Sequence, residues 1–544
     1  MTGELAPSTG PVVGDQRKFS KANLRPLIFC SIAVVGAVLY GYDGTYFSAI
    51  LEMRKFKEDF GTVIDDMGTI DITSSQRSLL ASIVQAGEFC GALASAPIGD
   101  FAGRKGGFIS AGSLVALGTV LQMVHTGSIP LMTVGRLVLG AGVGVISATT
   151  SPYLSEIAPV SLRGPVVSAW QLMLAIGQVI GAGVGLGTRD MDNSWSYRIP
   201  IILNLAIVAI LMFGIIFVCP ESPRWLINKG RDEQARAALR RIHKGQDDPN
   251  KVVDLEFSNF YQARQDEIAS QGEGGWLTLF KSKHDRRRLA MVIGVLICQQ
   301  ISGIQIVFSY SAVLIASLSP NFDGILVNII YTIVEVVGVL VAFLLVDRFG
   351  RRPLLLWTSV PMVISLLIAA ALGSLNDRSD NQNRAIAAMF GIFVFAFNNA
   401  WGPLAWVCAS ELSTGGQKQK IMAVGSACFW ISAWAVTFTL PYLFDEGEAN
   451  LGFRVGYIYC VGGLIAAWYV WTFIPETFGR TLEEIQQMIQ NDVPTRKWTS
   501  YVTHFEGTTW NNDVARDGTS RNSADKAGSL DVKPDQQATQ VLDA

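Results

Sequence analysis

The chain has 544 residues and a formal net charge of −2; half of its residues are hydrophobic and 16% are charged. A soluble enzyme of this size would carry about 25% charged residues, so the composition excludes an ordinary soluble protein and indicates a membrane protein. Nucleic acid is excluded as a partner, because no surplus of Lys and Arg is present to neutralise phosphates.

Twelve apolar segments follow one another along the chain, and we refer to them as spans 1 to 12. A helix needs about 20 apolar residues to cross the ~30 Å hydrocarbon core of a bilayer, and each segment approximates that length. Spans 1 to 6 are predicted at 27–50, 78–98, 107–125, 129–150, 166–188 and 199–219. Spans 7 to 12 are predicted at 289–315, 324–346, 353–375, 386–410, 420–444 and 453–474.

The polar stretches between these segments define the domains. The linker stretch 231–243 carries four apolar residues on one helical face, which predicts a short amphipathic helix. Basic residues concentrate in alternate loops, which places both termini in the cytoplasm. We predict a cytoplasmic tail at 1–26, a six-helix bundle at 27–219, a cytoplasmic linker at 220–288, a second six-helix bundle at 289–474 and a cytoplasmic tail at 475–544.

The seven cysteines all lie within or beside apolar runs, and none forms a C-x-x-C pair. This placement is typical of buried small apolar residues. The sequence therefore predicts neither disulfides nor a metal site. It contains no P-loop and no nucleophile–base pattern either, so we predict no cofactor and no enzymatic activity.

Three motifs occur twice, in the same order. The motif at 99–105 returns at 346–352, Glu156 with Arg163 returns as Glu411 with Lys418, and the motif at 220–224 returns at 475–480. The offsets are 247, 255 and 255 residues. Ordered motifs at nearly one offset predict a duplicated six-helix unit.

These motifs, together with Gly135-Arg136-Leu137 and Gln299-Gln-Ile-Ser-Gly303, resemble the sugar porter family of the major facilitator superfamily. The resemblance extends over roughly residues 25–490. It implies an all-α membrane protein with the major facilitator fold, in which two six-helix bundles rock around a central site and give alternating access. It also implies a plasma-membrane transporter of a sugar or sugar-like polyol, and we expect a monomer.

The charged residues at the predicted cytoplasmic ends resemble the family's inner salt-bridge networks. Ion pairs there can latch the two bundles in one state and release them in the other; simple positive-inside topology is the alternative interpretation. Lys418 departs from the family's usual Arg, so its network should lose bidentate geometry. The implied gate residues are Asp100, Arg104, Glu156, Arg163, Glu221, Asp347, Arg351, Glu411 and Lys418.

Four ionisable residues fall inside apolar segments, where burying a charge is costly: Asp43, Glu88, Arg136 and Glu335. The resemblance assigns Asp43 and Arg136 to the proton-coupling pair of proton-linked sugar porters. A purely structural ion pair is the alternative, because some facilitators also carry an acid at this position. Glu335 stands where glucose transporters usually have Asn. We predict it as a second proton-coupling group, with a ligand contact or a neutral hydrogen-bonded acid left open.

A sugar offers hydroxyls and a patch of C–H surface, so its site needs amides and aromatic faces. The residues that match the family's binding positions are Gln171, Gln299, Gln300, Gln305, Asn398, Trp406 and Trp430. For the tryptophans, packing or interface anchoring explains the residue type equally well. Besides Glu335, three positions depart from glucose carriers: Gln305 replaces Asn, Ser309 replaces Tyr, and Phe429 replaces Asn.

These departures leave the cargo open among another hexose, a disaccharide, a polyol and a cyclic acid such as quinate. The predicted function is a sugar or polyol transporter, coupled to protons as a symporter. Facilitated diffusion, export of a specialised metabolite and a sugar-sensing role remain alternatives. The predicted partners are the small-molecule substrate, the proton and the lipid bilayer.

Overall fold

The computed structural model describes residues 23–64, 70–125, 127–158, 163–246, 248–270, 278–318, 323–375, 378–414, 417–445, 448–480 and 482–501. In these ranges the chain is almost entirely helical. The exception is a small antiparallel hairpin of β1 (Val63–Ile64) and β2 (Ile70–Asp71) in the loop after span 1. The predicted tail 1–26 lies mostly outside the described residues.

The first six spans come from five helices and a π-helical turn. The longest, α3, would extend about 76 Å at 1.5 Å per residue, far beyond one bilayer. Gly103 breaks it with φ +78° and ψ −174°, so α3 supplies both span 2 and span 3. The elements are α1 (Leu24–Glu52), the short α2 (Arg54–Phe60), α3 (Ser74–Val124), α4 (Ile129–Ile157), α5 (Arg163–Thr188), α6 (Trp195–Phe213) and the π-helical turn Gly214–Val218.

The linker folds into short helices. These are α7 (Pro223–Asn228), α8 (Asp232–Ile242), α9 (Pro249–Ser270) and α10 (Thr278–Lys281). The predicted amphipathic helix is α8, and its apolar residues Ala235, Ala238, Leu239 and Ile242 are all buried. The first three join a small core with Trp225 of α7 and Phe257 of α9.

Spans 7 to 12 complete the fold. Span 7 is a bent pair and starts at Lys283, before the predicted boundary at 289; span 10 is also made of two helices. With α3 counted twice, the twelve predicted spans and the predicted fold class are confirmed. The elements are α11 (Lys283–Ile301), α12 (Ile304–Ala316), α13 (Gly324–Phe349), α14 (Arg351–Gly373), α15 (Asp380–Asn398), α16 (Trp401–Leu412), α17 (Lys418–Phe444), α18 (Val455–Phe473) and, beyond the spans, α19 (Leu482–Gln490).

Because each half crosses six times, the linker and both described chain ends lie at one face. We call this end of the molecule the linker face and the opposite end the far face. Small residues allow close helix packing, as expected in lipid: a Cβ on Gly140 of span 4 would lie 2.2 Å from the Val84 carbonyl oxygen of span 2. The cysteines are free; five are buried, whereas Cys90 is exposed and Cys428 half-buried, against the prediction that all are buried.

The duplicated motifs fold into the same arrangement in both halves. Gly103 and Gly350 both have positive φ, +78° and +82°, directly before the helix of the next span. In the first half, Glu221 accepts backbone N–H groups from Arg104 at 2.9 Å and Lys105 at 3.1 Å. In the second half, the backbone N–H groups of Arg351 and Arg352 donate to Glu476, each at 3.0 Å. Each carboxylate therefore caps a helix N-terminus, where negative charge is favoured, and the glycine leaves room for it.

Candidate functional site

A cavity lies between the two halves at mid-depth and extends toward the linker face. Residues of spans 1, 4 and 5 form its wall on the first half, and residues of spans 7, 8, 10 and 11 form the other. The lining residues are Tyr40, Ser147, Ser151, Leu154, Trp170, Gln171 and Leu174, facing Gln299, Gln300, Ile304, Gln305, Phe308, Glu335, Phe397, Gly402, Pro403, Trp406, Val407, Met422, Phe429 and Trp430.

The bend in span 7 places Gln299, Gln300 and Gln305 in the wall of this cavity. Helices α11 and α12 meet at an angle of 52°, and Gly303 between them has φ +94°. A side chain at Gly303 would also collide with Tyr459, whose Cβ lies 2.8 Å from the ideal Cβ position. Irregular backbone at membrane depth is tolerated where it lines a cavity. Gln299 and Gln300 end α11 here, and Gln305 begins the next turn.

Hydrogen bonds orient these glutamines. Gln299 donates to the carbonyl oxygens of Trp401 at 2.8 Å and Gly402 at 3.1 Å, where span 10 is broken. Its own Oε1 is buried and accepts no hydrogen bond from the described residues. Gln305 donates to Gln300 Oε1 at 2.8 Å. The arrangement thus leaves the amide nitrogen of Gln300 for a ligand's hydroxyls, whereas the Gln299 oxygen is enclosed in this conformation.

Aromatic rings form one side of the cavity. Trp430 packs edge-on against Tyr40, with ring centroids 5.4 Å apart, and against Phe429 at 4.7 Å. Phe429 also contacts Trp406 at 4.9 Å. The ring that replaces the family's Asn therefore joins two tryptophans into a continuous apolar surface.

Six of the seven predicted substrate residues line the cavity: Gln171, Gln299, Gln300, Gln305, Trp406 and Trp430. Asn398 does not; it lies behind Gln171, whose Nε2 is 3.5 Å from Asn398 Oδ1. The sequence analysis missed Tyr40, Ser147 and Ser151. A helical-spacing argument could have found them, because Tyr40 lies three residues before Asp43 and the two serines are four residues apart on span 4.

The predicted pair of Asp43 and Arg136 is present in the protein interior. Arg136 Nη1 lies 3.7 Å from Asp43 Oδ1, and the two side chains are 2% and 1% exposed. At that separation the groups attract each other as charges without forming a hydrogen bond. Arg136 instead donates from Nε to the Leu80 carbonyl oxygen at 2.9 Å, and its guanidinium stacks 3.7 Å from the centre of the Phe47 ring.

Two more acids lie near this pair. Glu88 is buried in span 2 and interacts electrostatically with both Asp43 and Arg136. Glu335 lines the cavity and accepts a hydrogen bond from Gln178 of span 5 at 3.1 Å. The Tyr40 hydroxyl interacts electrostatically with Asp43, Glu88 and Glu335. Tyr40 therefore stands between the buried pair and the cavity.

Four of the predicted gate residues form one ion pair in each half at the linker face. Arg104 pairs with Glu156 at 3.0 Å, and Arg351 pairs with Glu411 at 3.2 Å. Both pairs stay within their own half in this state, so a latch between the halves remains a prediction. Burial raises the pKa of Glu221, and backbone N–H donors partly offset this effect.

The remaining gate residues are less informative. Asp100 is exposed, and its carbonyl oxygen accepts a hydrogen bond from the Trp225 indole at 3.2 Å. Lys418 begins α17 and is half-buried. The side chains of Arg163 and Asp347 lie outside the described residues. Glu476, which the structure makes the counterpart of Glu221, was missed as a site residue although its motif had been recognised.

At the far face, polar contacts join the two halves. Arg189 at the end of span 5 pairs with Asp323 at the start of span 8. Ser74 donates to Asp445 at 2.6 Å, and Arg77 lies 3.4 Å from the same carboxylate. We call these contacts the far-face seal. Burial raises the pKa of Asp323, but the hydrogen bonds from Arg189 and the Leu326 N–H outweigh it, so the net pKa is below the usual value.

Comparison with known proteins identifies the family. The family model described as "Sugar (and other) transporter" matches residues 29–489. The major facilitator-type transporter ecdD of Aspergillus rugulosus is 32% identical over 477 residues, which cover 85% of this chain and 87% of the relative. The low-affinity glucose transporter HXT1 of Saccharomyces cerevisiae is 30% identical over 486 residues, which cover 87% of this chain and 83% of the relative.

A solved structure supports the same fold. The proton:xylose symporter XylE, bound to 6-bromo-6-deoxy-D-glucose, superposes with a TM-score of 0.71 at 23% sequence identity, covering 86% of this chain and 99% of XylE. The family match spans almost all of the twelve helices, and the fold of the two halves agrees with it. The chain therefore belongs to the sugar transporter family of the major facilitator superfamily.

Proposed function

We propose that the chain carries a sugar or sugar-like polyol across the plasma membrane by alternating access, as a secondary active transporter coupled to protons in symport. The observation that carries this proposal is a cavity of amides and aromatic rings between the two halves, next to the buried Arg136–Asp43 pair. The amides and aromatic rings suit a polyhydroxy ligand, and the Arg136–Asp43 pair suits the binding of a proton.

The cavity chemistry supports a polyhydroxy substrate. Gln300 offers an amide donor, and a sugar hydroxyl can accept a hydrogen bond as well as donate one. The rings of Trp406, Phe429 and Trp430 offer faces for the C–H surface of a sugar ring. The relative HXT1 is named as a glucose transporter, which agrees with this substrate class.

The coupling step follows from the geometry of the buried pair. Protonation of Asp43 neutralises its carboxylate and removes the charge attraction at 3.7 Å that holds Arg136. The guanidinium keeps its bond to the Leu80 carbonyl oxygen and its stacking on Phe47. Span 1 and span 4 then lose their charge contact, and span 1 also carries Tyr40 into the cavity. The proton and the substrate therefore act on the same helix.

We infer that the linker face is cytoplasmic and that this conformation faces the cytoplasm. The far-face seal closes one end, and the cavity extends toward the other, where Leu154, Val407 and Met422 line it. Transport requires the seal to open while the linker-face ends of the two halves approach each other.

Uptake of labelled compounds in a host without its own sugar transporters tests the proposal. Hexoses, pentoses, disaccharides and polyols are compared at two external pH values. We expect saturable uptake of at least one neutral polyhydroxy compound, faster at the lower pH. Uptake of none of them would contradict the proposal.

A second candidate is export of a specialised metabolite on the same scaffold. The observation that favours it is the aromatic surface made by Phe429 with Trp406 and Trp430, which replaces a polar sugar contact with a ring. Under this alternative, the panel gives no sugar uptake, and cells that produce the chain retain less of an aromatic or apolar metabolite.

A further inference from the structure

Among the described residues, the cavity wall carries one acidic side chain and no basic one. The acid is Glu335. Glu335 is 8% exposed and is held across the interface between the halves by Gln178. A carboxyl group is thus fixed in the cavity wall, and no described lining residue is positively charged.

The surroundings of the cavity do not supply a compensating charge. Asp43, Glu88 and Glu335 all act electrostatically on the Tyr40 hydroxyl, which lines the same cavity. Arg136 is the cation near them, and it is directed toward Asp43 and the Leu80 carbonyl oxygen. Two carboxyl groups, Asp43 and Glu88, therefore share the Arg136 guanidinium, and the partner of Glu335 among the described residues is the neutral Gln178.

The two cations of the far-face seal already have acidic partners. Arg189 pairs with Asp323 and lies next to Asp190, and Arg77 lies between Asp71 and Asp445. A substrate carboxylate is normally recognised by Arg or Lys, often with two parallel hydrogen bonds. Among the residues that the structure describes, the cavity wall has no Arg or Lys, and the two arginines of the seal are paired with acids.

We propose that Glu335 is a charge filter, which admits neutral or amine-bearing polyhydroxy compounds and rejects those that carry a carboxylate. An ionised Glu335 repels a second carboxylate strongly, because like charges interact with little screening in a desolvated cavity. The filter rests on the proposed function, and it removes cyclic and sugar acids from the range of cargoes.

Competition measurements on the transport-competent protein test the filter. The labelled compound is the neutral hexose that the uptake panel identifies, and the competitors are that hexose, its uronic acid and its 2-amino derivative at pH 7. In the wild type we expect the uronate to inhibit at least 30-fold less well than the neutral hexose, and the amino sugar to inhibit at least as well. We call the ratio between the inhibition constants of the uronate and the neutral hexose the uronate gap. In Glu335→Gln we expect this ratio to fall at least fivefold.

Binding to purified protein gives an independent reading, because Trp170, Trp406 and Trp430 line the cavity and report occupancy by fluorescence. Glu335→Asn serves as a second variant if Glu335→Gln does not fold. The matched control is Asp190→Asn, which removes the same charge from a side chain that is 87% exposed at the far face; its uronate gap should equal that of the wild type.

The outcomes separate the two proposals. The filter is overturned if the uronate competes as well as the neutral hexose in the wild type, or if both Glu335 variants leave the uronate gap unchanged. In either case, binding of the neutral hexose still supports the transport proposal. Absence of uptake and of binding for every neutral sugar overturns the proposed function, and the filter with it.

Discussion

At the scale of single residues, the buried charges govern the behaviour of this protein. Arg136 and Asp43 are both almost fully buried, yet their closest atoms are 3.7 Å apart. A pair this loose supplies charge compensation without the directional bond that would lock it. Protonation of Asp43 therefore removes a charge contact but breaks no hydrogen bond to Arg136, which suits a group that must bind and release a proton.

The stability of the pair can be measured with a double-mutant cycle. Asp43→Asn leaves the Arg136 guanidinium buried beside Glu88 alone, and breaking a buried pair costs about 3–5 kcal/mol. Asp43→Asn with Arg136→Gln removes both charges, so we expect the double variant to unfold at a higher temperature than Asp43→Asn. Thermal unfolding of the purified protein in detergent, followed by tryptophan fluorescence, measures this. Losses that simply add in the double variant would show that the residues are not coupled.

At the scale of elements, the broken spans matter most. Span 7 places three glutamines at the cavity because it stops at Ile301 and restarts at Ile304. The sequence predicted one continuous segment, 289–315, because its apolar composition carries no signal for a bend. In the sequence, Gly303 was recognised only as part of a family motif. Its positive φ and its closeness to Tyr459 are visible only in the folded structure.

Gly303→Ala tests the bend. Alanine at φ +94° costs about 1–2 kcal/mol, and the collision with Tyr459 adds about 1–3 kcal/mol of overpacking. We expect a lower unfolding temperature and a weaker affinity for the transported sugar, because the glutamines shift.

The control for this variant is Gly187→Ala in span 5, where an added Cβ meets nothing within 4 Å. It should leave unfolding temperature and affinity unchanged or slightly raise stability, since alanine favours helix by up to about 1 kcal/mol. If Gly303→Ala behaves like this control, the bend is not needed for the site.

At the scale of the whole molecule, contacts between the halves decide which face is open. The Arg189–Asp323 pair is about one-third exposed, and exposed pairs contribute about 0–1 kcal/mol. We expect Asp323→Asn to shift the population toward the state open at the far face by up to about fivefold. Accessibility of a cysteine introduced behind the seal to a membrane-impermeant reagent reports the shift. Asp190→Asn should not change it.

The pH dependence of the seal has a definite sign. The pKa of Asp323 lies below its ordinary value of about 3.9. Its contribution to the closed state is therefore fully present above about pH 4 and is lost as the pH falls through the lowered pKa. Between pH 5 and pH 7 the contribution of the Arg189–Asp323 pair should be constant, so an effect of pH on transport in that range must arise from groups other than Asp323. An accessibility change between pH 5 and pH 7 that Asp323→Asn abolishes would contradict this assignment.

The sequence predicts the large features well and the local ones less well. Twelve apolar segments and the duplicated motifs predict the fold, and the rarity of charge in apolar helices points to Asp43, Arg136 and Glu335. Tyr40 escaped notice because tyrosine is common in membrane helices. Whether the linker-face networks join the halves depends on the conformation, and one state shows the pairs of Arg104 and Arg351 only within their own halves.

Concentrative uptake tests the central claim most directly. Vesicles that contain the chain are given an inward proton gradient and the labelled sugar identified by the uptake panel. We expect accumulation above the external concentration, its collapse on addition of a protonophore, and equilibration without accumulation in Asp43→Asn. Uptake that stops at equal concentrations in the wild type, with no response to the gradient or to Asp43→Asn, would contradict proton-coupled transport.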